Sequence, residues 1–134
     1  MNYLTHQLLN PQEINILKKN LTLRDLSWED GKKTAGNHAA KVKENLQLDR
    51  SSNISKKCAS LIEKKILNDV LIKSFALPKR IHGTMFTKSM QGMKYGRHID
   101  NAFMSSGRAD LSFTIFINEK DKYSGGELLI EGLN

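Results

Sequence analysis

Apolar residues recur at helical spacing in two stretches of the chain and at alternating spacing in its last third. Ile14, Leu17 and Leu21 fall three and four residues apart, just after Asn10-Pro11-Gln12-Glu13. Asparagine caps helices, proline suits the first helical position, and a glutamate three residues after the cap completes a capping box. A short amphipathic helix is predicted there. Ile54, Cys58, Leu61, Ile62, Ile66 and Val70 repeat the pattern after Ser51-Ser52-Asn53, with Lys and Glu on the opposite face. This predicts one long helix that stops before Pro78, because the residue preceding a proline avoids the helical region. Cys58 lies on the apolar stripe and reads as a small core residue. From Trp28 to Asn53 periodicity fails, and the region reads as loop with one short strand.

Beyond Pro78 the period changes. Residues 80–89 and 95–100 read as short strands separated by Gly92. The best strand is 109–117, where Leu111, Phe113, Ile115 and Ile117 alternate with Ser112, Thr114 and Phe116. A polar loop follows, ending in Gly125-Gly126, a pair suited to backbone that residues with a Cβ resist. Residues 127–131 make a further apolar strand. Helices first and strands afterwards predict an α+β fold in a single domain: residues 1–77 are mainly helical support, and residues 78–134 are strands.

Composition narrows the class. A chain of 134 residues with 39% hydrophobic and 26% charged residues is that of an ordinary globular domain, not of a disordered one. A single cysteine excludes an intrachain disulfide and fits a reducing compartment. Neither a secretory leader nor a membrane-length apolar run stands out, so a soluble cytoplasmic protein with no membrane partner is expected. The net charge of +7 raises the question of nucleic acid. Residues 1–99 hold 18 Lys+Arg against 8 Asp+Glu, and residues 100–134 hold 3 against 6. The lysines are scattered pairs with few aromatics among them, the pattern of a solvated helical surface and not of a nucleic-acid platform.

The candidate chemistry lies at Tyr95-Gly96-Arg97-His98-Ile99-Asp100. In an extended segment His98 and Asp100 point the same way, bringing an imidazole and a carboxylate together. These are two thirds of the 2-His-1-carboxylate set that holds non-haem Fe(II) with open positions. By itself a His-x-Asp is weak evidence, and the favoured reading is a surface strand end where the two side chains merely pair.

The surrounding text favours the metal. Residues 86–102, which include Gly92-Met93-Lys94-Tyr95-Gly96-Arg97-His98-Ile99-Asp100-Asn101-Ala102, resemble the metal-binding segment of PKHD-type hydroxylases. These form part of the prolyl-4-hydroxylase-like branch of Fe(II)/2-oxoglutarate dioxygenases. The resemblance continues through Arg108-Ala109-Asp110-Leu111-Ser112-Phe113-Thr114 and Tyr123-Ser124-Gly125-Gly126-Glu127-Leu128. Upstream, Val42-Lys43-Glu44-Asn45-Leu46-Gln47-Leu48 is similar to that family's lysine-asparagine-glutamine stretch.

The resemblance implies a double-stranded β-helix (a jelly roll) with N-terminal helices packed outside it. It implies Fe(II) ligation by His98 and Asp100, and an oxidoreductase that couples 2-oxoglutarate decarboxylation to hydroxylation by O2, with ascorbate as reductant. It places Tyr95 and Ser89 at the co-substrate. Ser89 stands where many relatives carry a tyrosine, and Tyr95 reads equally as an aromatic packed in the sheet. Arg108 and Asp110 read as a solvated ion pair.

Some family features have no counterpart here. The histidines are His6, His38, His82 and His98, so none follows the His-x-Asp, where the family's second ligand lies. His82 is the only candidate substitute. No arginine follows Arg108 to pair with the distal 2-oxoglutarate carboxylate; Lys120 and Lys122 lack its bidentate fork. The chain therefore reads as the N-terminal portion of a hydroxylase, with a partial jelly roll. The alternatives are a non-catalytic half-barrel that associates with another chain through an open sheet edge, and a nucleic-acid-acting dioxygenase. The hydroxylated substrate, a prolyl residue, an amino acid or another small molecule, stays open.

Overall fold

The computed structural model describes residues 3–131. Helix α1 spans Pro11–Leu21 and begins as its sequence predicts. The Asn10 side chain accepts the Glu13 N–H and the Glu13 carboxylate accepts the Asn10 N–H, both at 2.9 Å. Leu17, on the predicted apolar face, is fully buried.

The aperiodic stretch holds more structure than one strand. Strand β1, Trp28–Asp30, leads into a 3-10 turn at Gly31–Thr34 and a one-turn helix α2 at Asn37–Ala40. Strand β2, Leu46–Leu48, returns antiparallel to β1 with Glu29 opposite Gln47. Three residues are too few for alternation to show, and the third strand, β3 at Thr87–Lys88, is some forty residues away in sequence. The sheet order is β1-β2-β3, with β2 central and antiparallel to both neighbours.

The long helix is two helices. Helix α3 runs Asn53–Asn68, capped by the Ser52 side chain, and α4 runs Val70–Ala76. Asp69 leaves helical geometry at φ −73°, ψ 123°, and its carboxylate accepts the Ile72 N–H at 2.9 Å to start α4. Aspartate competes with the helix through this local bond. Val70 consequently leaves the stripe and is 81% exposed. Leu77, in the left-handed region at φ 45°, closes α4 just before Pro78, where the stop was expected.

The core joins α1 and α3 to the sheet through Leu9, Leu17, Leu48, Cys58, Ile62, Ile66 and Phe86, all buried. Burial pushes the Cys58 thiol up, as suits a core residue and not a nucleophile. The Gly125-Gly126 pair adopts positive φ at both residues.

Helices and antiparallel sheets make the expected α+β class, yet the strands of the last third are mostly unpaired. Of 80–89 only Thr87–Lys88 joins a sheet, and of 95–100 only Tyr95 forms a bridge, to Lys43. Neither 109–117 nor 127–131 is a strand among the described residues. Alternation signals a two-faced environment, but a strand exists only where a neighbouring backbone supplies ladder bonds. Ile115 and Ile117 still pack on the core, while Leu111, Phe113 and Phe116 are exposed. A small hairpin not anticipated from the pattern, β4 at Phe103–Met104 and β5 at Gly107–Arg108, turns through Ser105 and Ser106. No helix among the described residues is long and apolar enough to cross a membrane.

Candidate functional site

The His-x-Asp arm is anchored through the segment just before it. Residues 94–96 lie antiparallel to residues 42–44, with the Glu44 N–H donating to the Lys94 carbonyl and the Gly96 N–H to the Val42 carbonyl, both at 2.7 Å. These bonds flank Lys43 and Tyr95, which are therefore a non-hydrogen-bonded pair, the kind whose side chains sit closest.

Beyond the anchor, His98 Nδ1 lies 2.7 Å from the Gly96 carbonyl oxygen. A carbonyl only accepts, so Nδ1 carries the proton, and a neutral ring then holds its lone pair on Nε2. Nε2 faces Asp100 Oδ1 at 3.3 Å. Two ligand atoms 2.0–2.2 Å from one ion and at right angles to each other lie about 3 Å apart. The arrangement thus fits two adjacent ligands, with the second imidazole nitrogen engaged as metal-bound histidines require. The Tyr95 ring stacks on the imidazole, centroids 3.8 Å apart and planes within 9°. Burial, and then the Asp100 charge, raise the Tyr95 phenol, keeping it protonated.

Behind Tyr95 runs a buried polar row. Lys43, Asn45 and Gln47 alternate along the extended segment leading into β2, and all three are buried. The Thr34 hydroxyl donates to Gln47 Oε1, and Lys43 Nζ lies 3.5 Å from that hydroxyl and 5.2 Å from the Tyr95 ring centroid. Burial lowers the Lys43 ammonium, partly offset by the Asp30 charge. The link between this row and the His-x-Asp was missed in the sequence. Its only trace there is the period-two spacing of Lys43, Asn45 and Gln47.

Other candidates stay apart from the pair. Ser89 is exposed just after β3, and no hydrogen bond joins it to Tyr95, His98 or Asp100. His82 pairs through Nδ1 with the Ser106 hydroxyl in the β4–β5 turn. Lys120 and Lys122 lie in a 3-10 turn of the polar loop. Arg108 and Asp110 form the expected exposed ion pair at 2.7 Å. Among the described residues no group of three His, Cys, Asp or Glu is placed to hold a metal ion.

Comparison with known proteins bears on the class of the chain. The chain is 91% identical over all its 134 residues to a PKHD-type hydroxylase of Prochlorococcus marinus strain MIT 9215. The chain is similar to PKHD-type hydroxylases along its whole length. It is 66% identical over 134 residues to the PKHD-type hydroxylase of strain MIT 9312, and 53% identical over 133 residues to that of strain MIT 9313. The chain spans about 61% of the length of these PKHD-type hydroxylases (61% of the first two, 60% of the third). No family model matches the chain. No solved structure matches it either.

Proposed function

We propose that the chain carries the His98–Asp100 half of an Fe(II)/2-oxoglutarate-dependent hydroxylase site. One observation carries this reading: His98 Nε2 and Asp100 Oδ1 face each other at 3.3 Å while Nδ1 lies 2.7 Å from the Gly96 carbonyl oxygen. Two electron-rich atoms at that distance repel unless a proton or a cation lies between them. The names of the relatives supply the chemical class, hydroxylation.

When bound, Fe(II) would supply O2 activation coupled to decarboxylation of 2-oxoglutarate, with ascorbate keeping it reduced. The chain's own part is to hold and orient. Gly96 fixes the imidazole tautomer, Tyr95 walls one face of the ring and Asp100 presents its carboxylate. In this reading Ser89 donates to the co-substrate from the rim, and the segments at 109–117 and 127–131 are strands of a jelly roll. Among the described residues no third His, Cys, Asp or Glu stands with the pair to complete the ligand set.

Titration of 2-oxoglutarate into the Co(II)-loaded chain tests the proposal. Binding heat that requires Co(II) and disappears in Asp100→Ala is expected. Heat independent of the metal, or none, would remove the 2-oxoglutarate reading.

A second reading rests on exposed apolar side chains at Leu128, Leu129 and Ile130. An unpaired extended segment with exposed apolar side chains is a site for a second copy of the chain.

A further inference from the structure

We propose that Lys43 is a positioning residue for His98, acting through the Tyr95 ring. Lys43 is only 3% exposed. Burying a charge is costly unless it is paired, and among the described residues no carboxylate lies within ion-pair distance of Nζ. Its polar neighbour is the Thr34 hydroxyl at 3.5 Å, and its aromatic neighbour is the Tyr95 face at 5.2 Å, within cation–π range. A core that needed only volume would be better served by an aliphatic side chain. What the ammonium adds is an attraction directed at that ring.

The stem of Lys43 is fixed from below. A Cβ on Gly31 would come 3.1 Å from Lys43 Cε, so the side chain lies close over the Gly31 backbone. Its backbone is fixed by the paired bonds at Glu44 and Gly96. The ammonium is therefore a rigid feature. Tyr95 is 39% exposed and lacks walls enough to hold its own ring. The hydrogen bond from Nδ1 to Gly96 restrains the imidazole along one direction, and the parallel stack on Tyr95 sets the plane of the ring. Lys43 thus reaches His98 without touching it. Which atoms it orients is a matter of geometry; that the orientation serves metal binding rests on the function proposed above.

The test separates the two. In the metal-free chain, protons of the His98 ring lie over the Tyr95 face and resonate upfield. Lys43→Met, an unbranched neutral replacement, is expected to remove this upfield shift and to weaken Co(II) binding about tenfold, in the range of an outer-shell change. Lys43→Arg, which keeps the cation, is expected to restore both. His98 ring resonances unchanged in Lys43→Met would overturn the proposal. If the shift is lost but His98→Ala leaves Co(II) affinity unchanged, the positioning role is supported and the metal reading fails instead. Should Lys43→Met not fold, Lys43→Gln takes its place, and the same ring shift decides.

Discussion

Gly96 lies against Val42 so closely that a Cβ added to it would come 2.9 Å from the Val42 Cβ. The contact lets residues 94–96 bond to residues 42–44 at 2.7 Å, and so it aims His98 two residues on. Gly96→Ala must push the two segments apart. Overpacking of this kind costs about 1–3 kcal/mol. Chemical denaturation should show that loss, together with the disappearance of the upfield His98 ring shift. Wild-type stability with an unmoved ring would mean that the anchor is looser than described.

Leu77 holds a left-handed conformation, φ 45° and ψ 51°, with 82% of its surface exposed. A residue with a Cβ pays about 1–2 kcal/mol there, partly matched by glycine's extra freedom in the unfolded chain. Leu77→Gly should therefore raise stability by up to about 1 kcal/mol, since little burial is lost. Thermal melting would show it, and a lower melting temperature would contradict the assignment of this cap.

Asp69 and Glu13, two of the three carboxylates held below their usual range among the described residues, tie stability to acid. The Ile72 N–H, and after it His6, hold the Asp69 carboxyl below the usual range; the Asn10 N–H, and after it Lys65, do the same for Glu13. A lowered folded pKa gives stability that is present above the ordinary carboxylate value of about 4 and is lost as pH falls through the lowered one. Denaturation midpoints should hold from neutral pH to about pH 5 and fall below about pH 4. The double variant Glu13→Gln, Asp69→Asn should show a shallower fall. An identical acid slope in the variant would rule out these two groups as its source.

Leu129 is 85% exposed, beside half-exposed Leu128 and Ile130. Sedimentation velocity should reveal concentration-dependent association that Leu129→Ser reduces. A monomer at every concentration would exclude the self-association reading.

The helices were legible because their signals are local. Asn10 and Glu13 form the box their spacing announces, and Ile62 and Ile66 are buried on the stripe that placed them. Local signals also misled. Val70 stands at the right interval after Ile66, but Asp69 offers the backbone a cap and α3 ends at Asn68, two residues before it. Alternation at Leu111, Phe113 and Ile115 specified a face without a partner, and no ladder forms there among the described residues. At the candidate site, His98 and Asp100 converge as their spacing required. Tyr95 meets His98 by stacking, and Ser89 stays apart. Lys43 was not legible as a neighbour, because its pairing with Tyr95 joins segments fifty residues apart, which no local pattern records.

The central claim is that His98 and Asp100 bind one metal ion, and equilibrium dialysis against Co(II) tests it most directly. His98→Ala and Asp100→Ala should each weaken Co(II) affinity by at least about tenfold, more than Lys43→Met does. Affinity equal to wild type in both variants would contradict the claim and leave the pair as a surface contact.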